Sequence, residues 1–212
     1  MEFLDVLQTA GTCRFYRSDP VPTEVISRVL DAARFAPSGG NRQPVRFVVV
    51  LDAEKRRTLK EWYLPIWNQY VAQVRKRTAH DPARTRLLAN ADHFAQHLDE
   101  VPALIVVCAA MDELFPTDRD LGRLSIVGGA SVYPAVQNLL LKAREEGLGT
   151  ALTTLLCRVE PQVKDLLRIP DGIGTAAVIA LGWPAKGFPK RLLRRPLSEI
   201  AFGDEYGKSL QR

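Results

Sequence analysis

The sequence predicts a single α+β domain. Apolar runs of the length expected for buried strands occur at residues 45–51, 102–109 and 175–182. Longer segments around them repeat apolar residues at intervals of three and four positions, which is typical of amphipathic helices. No internal repeat, low-complexity tract or shift of composition interrupts this order, so we treat residues 1–212 as one domain.

Helices are predicted from apolar spacing and from the residues at their ends, over 3–10, 24–33, 59–74, 87–98, 130–146 and 161–167. Gly11 is expected to end the first helix, and the Thr23 side chain to cap the second. Pro65 should kink or interrupt the third helix. Gly147 is expected to end the fifth helix in a left-handed conformation. The run 148–156 that follows should be a strand or an extended loop.

The composition favours a globular protein with a substantial core, because 46% of the residues are hydrophobic. The net charge of +5 suits an anionic cofactor or substrate but is too dispersed for a nucleic-acid groove. No apolar run reaches the roughly 18 residues of a membrane span, and no secretory leader is evident, so we expect a cytoplasmic protein. Cys13, Cys108 and Cys157 lie far apart and are expected to be reduced, mostly buried thiols.

The loop between the second helix and the first strand, residues 36–44, combines backbone freedom with hydrogen-bonding side chains. It contains two prolines, two glycines, a hydroxyl and two carboxamides: Pro37, Ser38, Gly39, Gly40, Asn41, Gln43 and Pro44. Glycines let backbone N–H groups approach a ligand edge, and a carboxamide can donate to and accept from the same heterocycle. The loop is therefore suited to hold a flat polar molecule, although these residue types also form ordinary turns.

Four separated motifs in this order resemble the FMN-dependent nitroreductase family. They are Arg14-Phe15-Tyr16 with Pro20-Val21-Pro22, the loop 36–44, residues 129–149 with Gln137-Asn138, and residues 180–197 with Gly182-Trp183-Pro184 and Arg194-Arg195-Pro196-Leu197. The resemblance spans nearly the whole chain and is specific because four motifs agree. It implies a three-layer fold with a central mixed β-sheet flanked by helices and a C-terminal segment exchanged in a homodimer.

The resemblance implies a non-covalent FMN site. Its cofactor-binding residues would be Arg14, Pro37, Ser38, Gly39, Asn41, Gln43, Thr153, Thr154, Leu155, Arg194 and Arg195. Arg14 matches the basic position nearest the flavin, and 148–156 matches a segment whose backbone N–H points at flavin N5. Arg194, with Arg195 or Arg191 in reserve, matches the basic position that binds the FMN phosphate.

The chain departs from the family pattern after the first helix and at Val45, which follows the Asn-x-Gln-Pro motif where the family more often has Trp. Ala10, Gly11 and Thr12 stand where the family shows an Arg-Arg-Ser-like run, so one phosphate contact is missing or comes from elsewhere.

The reaction implied by the resemblance is an exchange of electrons through FMN. NADH or NADPH would donate, and a nitroaromatic, a quinone or a related electrophile would accept at the same ring face in a ping-pong scheme. Arg14 and Asn41 would stabilise the charge of the reduced ring, and no side chain is expected as an obligatory catalytic acid or base. Two alternatives stay open: another branch of the family, either a reductive dehalogenase or a flavin-consuming enzyme of cofactor biosynthesis, and a non-catalytic flavin or small-molecule binding module.

Two features of the middle of the chain have a structural and a functional interpretation. The third helix carries a stripe of aromatic residues, Trp62, Tyr63, Trp67 and Tyr70. Such a stripe usually packs in a core or an interface, but it could also line a substrate pocket. On the fourth helix, His93 and His97 lie one turn apart, but no glutamate between them completes an H-E-x-x-H motif and no third ligand is evident. We therefore expect no metal site.

Two long segments are predicted to lie at the surface. Residues 111–129 form either a mobile cover over a site or an ordinary surface excursion. The tail, residues 183–212, has scattered apolar residues without a periodic element to bury them: Leu192, Leu193, Leu197, Ile200, Phe202 and Tyr206. We expect the tail to pack on the second subunit of an obligate homodimer, in which Arg14 and Arg194 come from one chain and the loop 36–44 from the other.

Overall fold

A computed structural model of the chain describes residues 1–78 and 80–210. Within these residues the α-helices are α1 (Phe3–Thr9), α2 (Thr23–Ala33), α3 (Ala53–Thr78), α4 (Pro82–Gln96), α5 (Tyr133–Glu145) and α6 (Glu160–Leu167). The strands are β1 (Val45–Val50), β2 (Ala103–Ala110), β3 (Gly149–Thr153) and β4 (Ile173–Gly182). Every predicted helix and strand is present, with ends that differ by a few residues.

The four strands form one sheet in the order β1-β2-β4-β3. Each neighbouring pair is antiparallel, with Val48 opposite Val106, and Val106 opposite Val178. The implied mixed sheet is therefore wrong for the described strands. β1 ends at one end of the sheet, and the helical hairpin of α3 and α4 returns the chain to that same end. β2 therefore starts where β1 stops and runs antiparallel to it. Within the described chain, parallel pairing is confined to the isolated bridge between Thr12 and Thr150.

Helices cover both faces of the sheet and give the three layers that the resemblance implied. On one face, α2 and α5 pack through Ile26, Val29 and Leu139. On the other face, α3, α4 and α6 bury an equally apolar set that includes Leu59 and Phe94. All residues of β2 are buried, as expected of an interior strand with apolar side chains on both faces.

Two details at helix ends and in a helix interior differ from the sequence-based expectation. Thr23 is already the first helical residue, because Pro22 is the N-cap and α2 has no side-chain cap. The predicted capping role of Thr23 is therefore wrong. Pro65 lies inside α3, a continuous helix of 26 residues, so it does not interrupt the helix; the kink stays a prediction. Burial of Leu59, Tyr63 and Trp67 on either side stabilises the helix against the hydrogen bond that proline removes.

One expectation is confirmed: Gly147 ends α5 with φ +80. Of the three cysteines, Cys108 is buried, whereas Cys13 and Cys157 are only partly buried. Their reduced state stays a prediction.

The tail leaves much apolar surface uncovered. Leu193 is 95% exposed and Tyr206 is 94% exposed, and Leu197 and Ile200 are also exposed. Its first part is held to the body of the chain, since the Leu192 N–H donates to the Gln8 carbonyl over 2.8 Å. None of the described helices is long and apolar enough to cross a membrane.

Candidate functional site

A cavity of about 430 Å³ lies between α3, α4 and the end of β3, and we call it the Arg14 cavity. Its walls combine hydroxyl groups, aromatic rings, aliphatic side chains and one cation: Thr12, Arg14, Tyr63, Trp67, Tyr70, Val74, Leu87, Leu88, Ala91, Phe94, Ala151, Leu152, Thr153, Thr154 and Leu155. The cavity thus contains Arg14 together with three of the residues predicted to face the flavin.

The aromatic wall is fixed by packing and by hydrogen bonds. Tyr63 stacks on Trp67 with ring centroids 6.5 Å apart, and the edge of Phe94 meets Tyr63 at the same distance. The Trp67 indole N–H donates to the Asp92 carboxylate over 2.8 Å. Burial raises the pKa of Tyr63, so this phenol stays protonated at neutral pH and offers a hydrogen-bond donor.

Arg14 is placed by the extended segment that follows α1. The Cys13 N–H donates to the Thr150 carbonyl over 2.7 Å, and the Tyr16 hydroxyl donates to the Cys13 carbonyl over 3.0 Å. These bonds fix the backbone on both sides of Arg14 beside β3. Among the described residues, the partly buried Arg14 guanidinium has neither a hydrogen bond nor an ion pair.

The turn at the end of β3, residues 153–155, forms another wall of the Arg14 cavity. The Leu155 N–H donates to Thr153 Oγ1 over 3.3 Å, and this hydroxyl lies 3.5 Å from the Tyr63 hydroxyl. An unpaired cation beside an apolar, aromatic wall favours a ligand that brings negative charge. These features fit a planar heterocycle with an anionic edge, as in FMN.

A second cavity, of about 450 Å³, lies beside the loop 36–44 and is called the loop cavity. Residues from α2, the loop, β1 and the start of α5 line it: Leu30, Ala33, Arg34, Ala36, Ser38, Arg42, Gln43, Val45, Arg46, Phe47, Ser131 and Ala135. Ser38 and Gln43 thus line a different cavity from Arg14.

The loop has a fixed and unusual backbone. Asn41 and Gln43 have φ of 52 and 54, in the left-handed region that non-glycine residues rarely adopt. The Gln43 N–H donates to Ser38 Oγ over 3.0 Å, and the Gly39 N–H donates to Ser131 Oγ over 3.1 Å. These bonds hold a conformation that costs backbone energy, a pattern found at ligand-binding loops.

The two cavities lie at opposite edges of the sheet. The Arg14 cavity adjoins β3, and the loop cavity adjoins β1, while β2 and β4 separate these strands. A single chain therefore does not bring Arg14, Thr153, Thr154 and Leu155 together with Ser38 and Gln43.

The remaining predicted site residues lie outside both walls. Pro37, Gly39 and Asn41 belong to the loop beside the second cavity without lining it. Arg194 and Arg195 are exposed in the tail, and the Arg194 guanidinium donates to the Leu193 carbonyl over 2.8 Å. Their role as phosphate ligands stays a prediction.

The segment 111–129 lies against the loop rather than over the Arg14 cavity. The guanidinium of Arg42 stacks on Phe115 at 4.2 Å from the ring centroid. Within the segment, the buried Asp118 carboxylate accepts hydrogen bonds from Arg123, the Ser125 hydroxyl and the Ile126 N–H. These hydrogen bonds lower the pKa of Asp118, with the largest effect from the Ser125 hydroxyl and the next largest from the Ile126 N–H. A covering function for this segment stays a prediction.

Reasoning from the sequence missed two residues of these sites. Thr12 was noted only as a departure from the family pattern, yet it lines the Arg14 cavity. Ser131 holds Gly39 although the two residues are 92 positions apart, and no local sequence signal indicates that contact. The aromatic stripe did contain the right candidates, because Tyr63, Trp67 and Tyr70 line the Arg14 cavity.

The profile of the nitroreductase family matches residues 9–183, and the chain belongs to that family. Over 195 residues it is 31% identical to a protein named NADH dehydrogenase from Thermus thermophilus, covering 88% of each chain. It is also 31% identical over 197 residues to 5,6-dimethylbenzimidazole synthase of Rhodospirillum rubrum, covering 91% of this chain and 87% of the relative.

Solved structures share the fold. The crystal structure of oxidized iodotyrosine deiodinase bound to FMN and 3-iodo-L-tyrosine superposes with a TM-score of 0.67. The match covers 92% of this chain and 95% of that one, at 23% identity. This likeness establishes the nitroreductase-like fold.

Proposed function

We propose that the protein is an FMN-dependent oxidoreductase that uses NADH or NADPH to reduce a nitroaromatic, a quinone or a related electrophile in a ping-pong reaction. The observation that carries this proposal is the Arg14 guanidinium, which has no partner among the described residues and lies in the wall of an open aromatic cavity. Family membership and the FMN-bound deiodinase structure support the choice of FMN. The relative named NADH dehydrogenase supports a nicotinamide donor.

The residues of this chain have separate tasks in the proposal. When bound, FMN supplies hydride chemistry at its N5 atom. Arg14 would balance negative charge at the pyrimidine edge of the flavin. A fixed positive charge stabilises such charge more strongly in a site from which water is excluded. The turn Thr153–Leu155 would border the ring, and the aromatic wall of Tyr63 and Trp67 would exclude water and accept a planar substrate. Asn41 and Ser38 would supply hydrogen bonds to the heterocycle from the loop of the second copy of the chain.

Anaerobic mixing tests this function. The purified protein should be yellow, and NADH or NADPH should bleach the flavin absorbance without oxygen. A nitroaromatic or a quinone added next should restore the colour. A flavin that stays oxidised with both nicotinamides would contradict the proposed donor, and a colourless protein that binds no added FMN would contradict the cofactor.

Another branch of the family is the second candidate. It is supported by the similarity to a dimethylbenzimidazole synthase and by the deiodinase structure with bound iodotyrosine. The same experiment separates these branches. Release of halide from a halogenated phenol indicates reductive dehalogenation, and loss of flavin from the reduced protein under oxygen indicates a flavin-consuming reaction.

We further propose an obligate homodimer in which each flavin contacts both subunits. The exposed apolar side chains of the tail, including Leu193, Leu197 and Ile200, need a partner surface. The separation of the Arg14 cavity from the loop cavity also supports a shared site, because a second chain can place its loop against the first chain's Arg14. Cofactor binding and dimer formation would then be linked by mass action.

A further inference from the structure

A third cavity, of about 250 Å³, adjoins the Arg14 cavity and shares Thr12 and Arg14 with it. Its walls come from the segment after α1, from α4 and from the start of the tail. Arg86 and Lys186 line it together with Arg14, and the amide of Asn90 adds a further polar group. No acidic residue lines this basic cavity within the described chain.

Backbone pairing builds the wall that carries Lys186. The Ala185 N–H donates to the Phe15 carbonyl over 2.9 Å, and the Arg17 N–H donates to the Trp183 carbonyl over the same distance. The Lys186 ammonium lies 3.3 Å from the centroid of the Phe15 ring, in a cation–π contact. The exposed Lys186 is therefore placed at the cavity by the backbone pairing of its neighbour Ala185 and by its own contact with Phe15.

Among the residues that the structure describes, the cations of the basic cavity have no carboxylate partners. Arg84, on the same helix as Arg86, pairs with Asp81 at 3.3 Å. By contrast, over residues 1–78 and 80–210 no ion pair involves Arg14, Arg86 or Lys186. Three positive charges around one small cavity repel one another, and an anion bound among them relieves that repulsion.

We propose that the basic cavity binds the phosphate of FMN, with Arg86 and Lys186 as its charged ligands and Thr12 as a hydroxyl donor. This inference rests on the proposed function. FMN carries its phosphate at the far end of a ribityl chain, so a ring in the Arg14 cavity requires an anion site in a neighbouring cavity. Thr12 and Arg14 form the shared wall between the two. Arg86 and Lys186 thereby replace the basic contact that Ala10 does not supply.

The experiment compares FMN with riboflavin, which has the same ring and ribityl chain without the phosphate. Affinities of both flavins are measured by fluorescence titration for the full-length wild type, Arg86→Gln, Lys186→Gln and the double variant. Each single substitution should weaken FMN binding about tenfold and the double about a hundredfold, because each removes a charge-assisted hydrogen bond. Riboflavin affinity should stay unchanged. Arg84→Gln is the matched control on α4 and should behave as wild type.

Other outcomes overturn the inference in distinguishable ways. Equal loss for FMN and riboflavin would show a general effect on the site rather than phosphate binding. Selective loss of FMN affinity in Arg194→Gln, with Arg86→Gln and Lys186→Gln unchanged, would assign the phosphate to the tail. Unchanged FMN affinity with weaker binding of NADPH relative to NADH would assign the cavity to the donor's phosphate. A wild type that binds neither flavin would contradict the proposed function itself.

Discussion

The Arg14 cavity and the loop cavity have similar volumes, about 430 and 450 Å³, but they are built differently. The Arg14 cavity has an aromatic wall packed on the core and one unpaired cation. The loop cavity has a strained backbone and hydrogen-bonding groups beside the edge strand β1. In the proposed homodimer these two cavities are complementary parts of one flavin site, which the second chain brings together.

The largest expected effect comes from separating the two halves. Leu197→Ser combined with Ile200→Ser removes exposed apolar side chains that the proposed dimer buries. Each buried side chain contributes roughly 1.5–3 kcal/mol and the dimer loses four of them, two in each subunit, so the dimer dissociation constant should rise at least about ten-thousandfold. Sedimentation and FMN titration should show loss of the dimer and of the flavin together.

Leu51→Ser, another exposed apolar position outside the tail, is the control and should remain dimeric. A monomeric double variant that binds FMN with full affinity would show that the site is complete in one chain.

Removal of the cation should have the next largest effect. Arg14→Ala eliminates the charge at the wall of the Arg14 cavity, and FMN affinity should fall about ten- to a hundredfold. Fluorescence titration measures this loss, with Arg17→Ala as the control because Arg17 pairs with Asp19 at the surface. Equal affinities of wild type and Arg14→Ala would remove Arg14 from the site.

A smaller effect should follow from loosening the loop. Ser131→Ala removes the hydroxyl that accepts the Gly39 N–H, a bond whose net value is about 0.5–1.5 kcal/mol. FMN affinity should fall about two- to tenfold, and the Gly39 amide should exchange its hydrogen faster. Ser18→Ala, at an exposed position after Arg17, is the matched control. The positioning role of Ser131 fails if neither affinity nor exchange changes.

The smallest effect concerns the ion pair that joins α2, which leads into the loop, to the end of α5. Hydrogen bonds from Arg28, which has the larger effect, and from Lys142 lower the pKa of Glu146 from 4.5 to about 2. Because the folded pKa lies below the ordinary value, the stabilisation is complete above pH 4.5 and is lost as the pH falls towards 2.

Glu146→Gln should therefore unfold at a lower temperature than wild type at pH 7, and the two should converge as the pH falls from 4.5 towards 2. The difference should be small, since Arg28 is half exposed and solvent screens the pair. Thermal scans across this range check the convergence, and a constant difference would contradict it.

The sequence predicted the elements well because each carries a local signal. The all-apolar run of β2 predicted an interior strand, and the glycine after α5 predicted its end. The family motifs placed Arg14 and the turn after β3 in one predicted flavin site, and these residues line one cavity. Strand direction had no such signal, and the mixed sheet expected from the resemblance is antiparallel in the described strands.

The features that the sequence did not predict are contacts between segments that lie far apart along the chain. Ser131 reaches Gly39 across 92 positions, and Arg86 and Lys186 meet at one cavity from a helix and from the tail. Such contacts depend on how α4, α5 and the tail pack, which no local pattern encodes. The same holds for the placement of the Arg14 cavity and the loop cavity at opposite edges of the sheet.

Subunit complementation tests the shared site most directly. Arg14→Ala and Asn41→Asp are prepared as separate dimers, and Asp at position 41 tolerates the left-handed backbone. Each dimer alone should bind FMN weakly. If Arg14 and the loop come from different subunits, a mixed dimer contains one wild-type site, and titration should show one FMN per dimer with wild-type affinity. If each site were instead built from a single chain, one site of the mixed dimer would carry Arg14→Ala and the other Asn41→Asp. Mixed dimers in which no site regains wild-type affinity would therefore contradict the shared site.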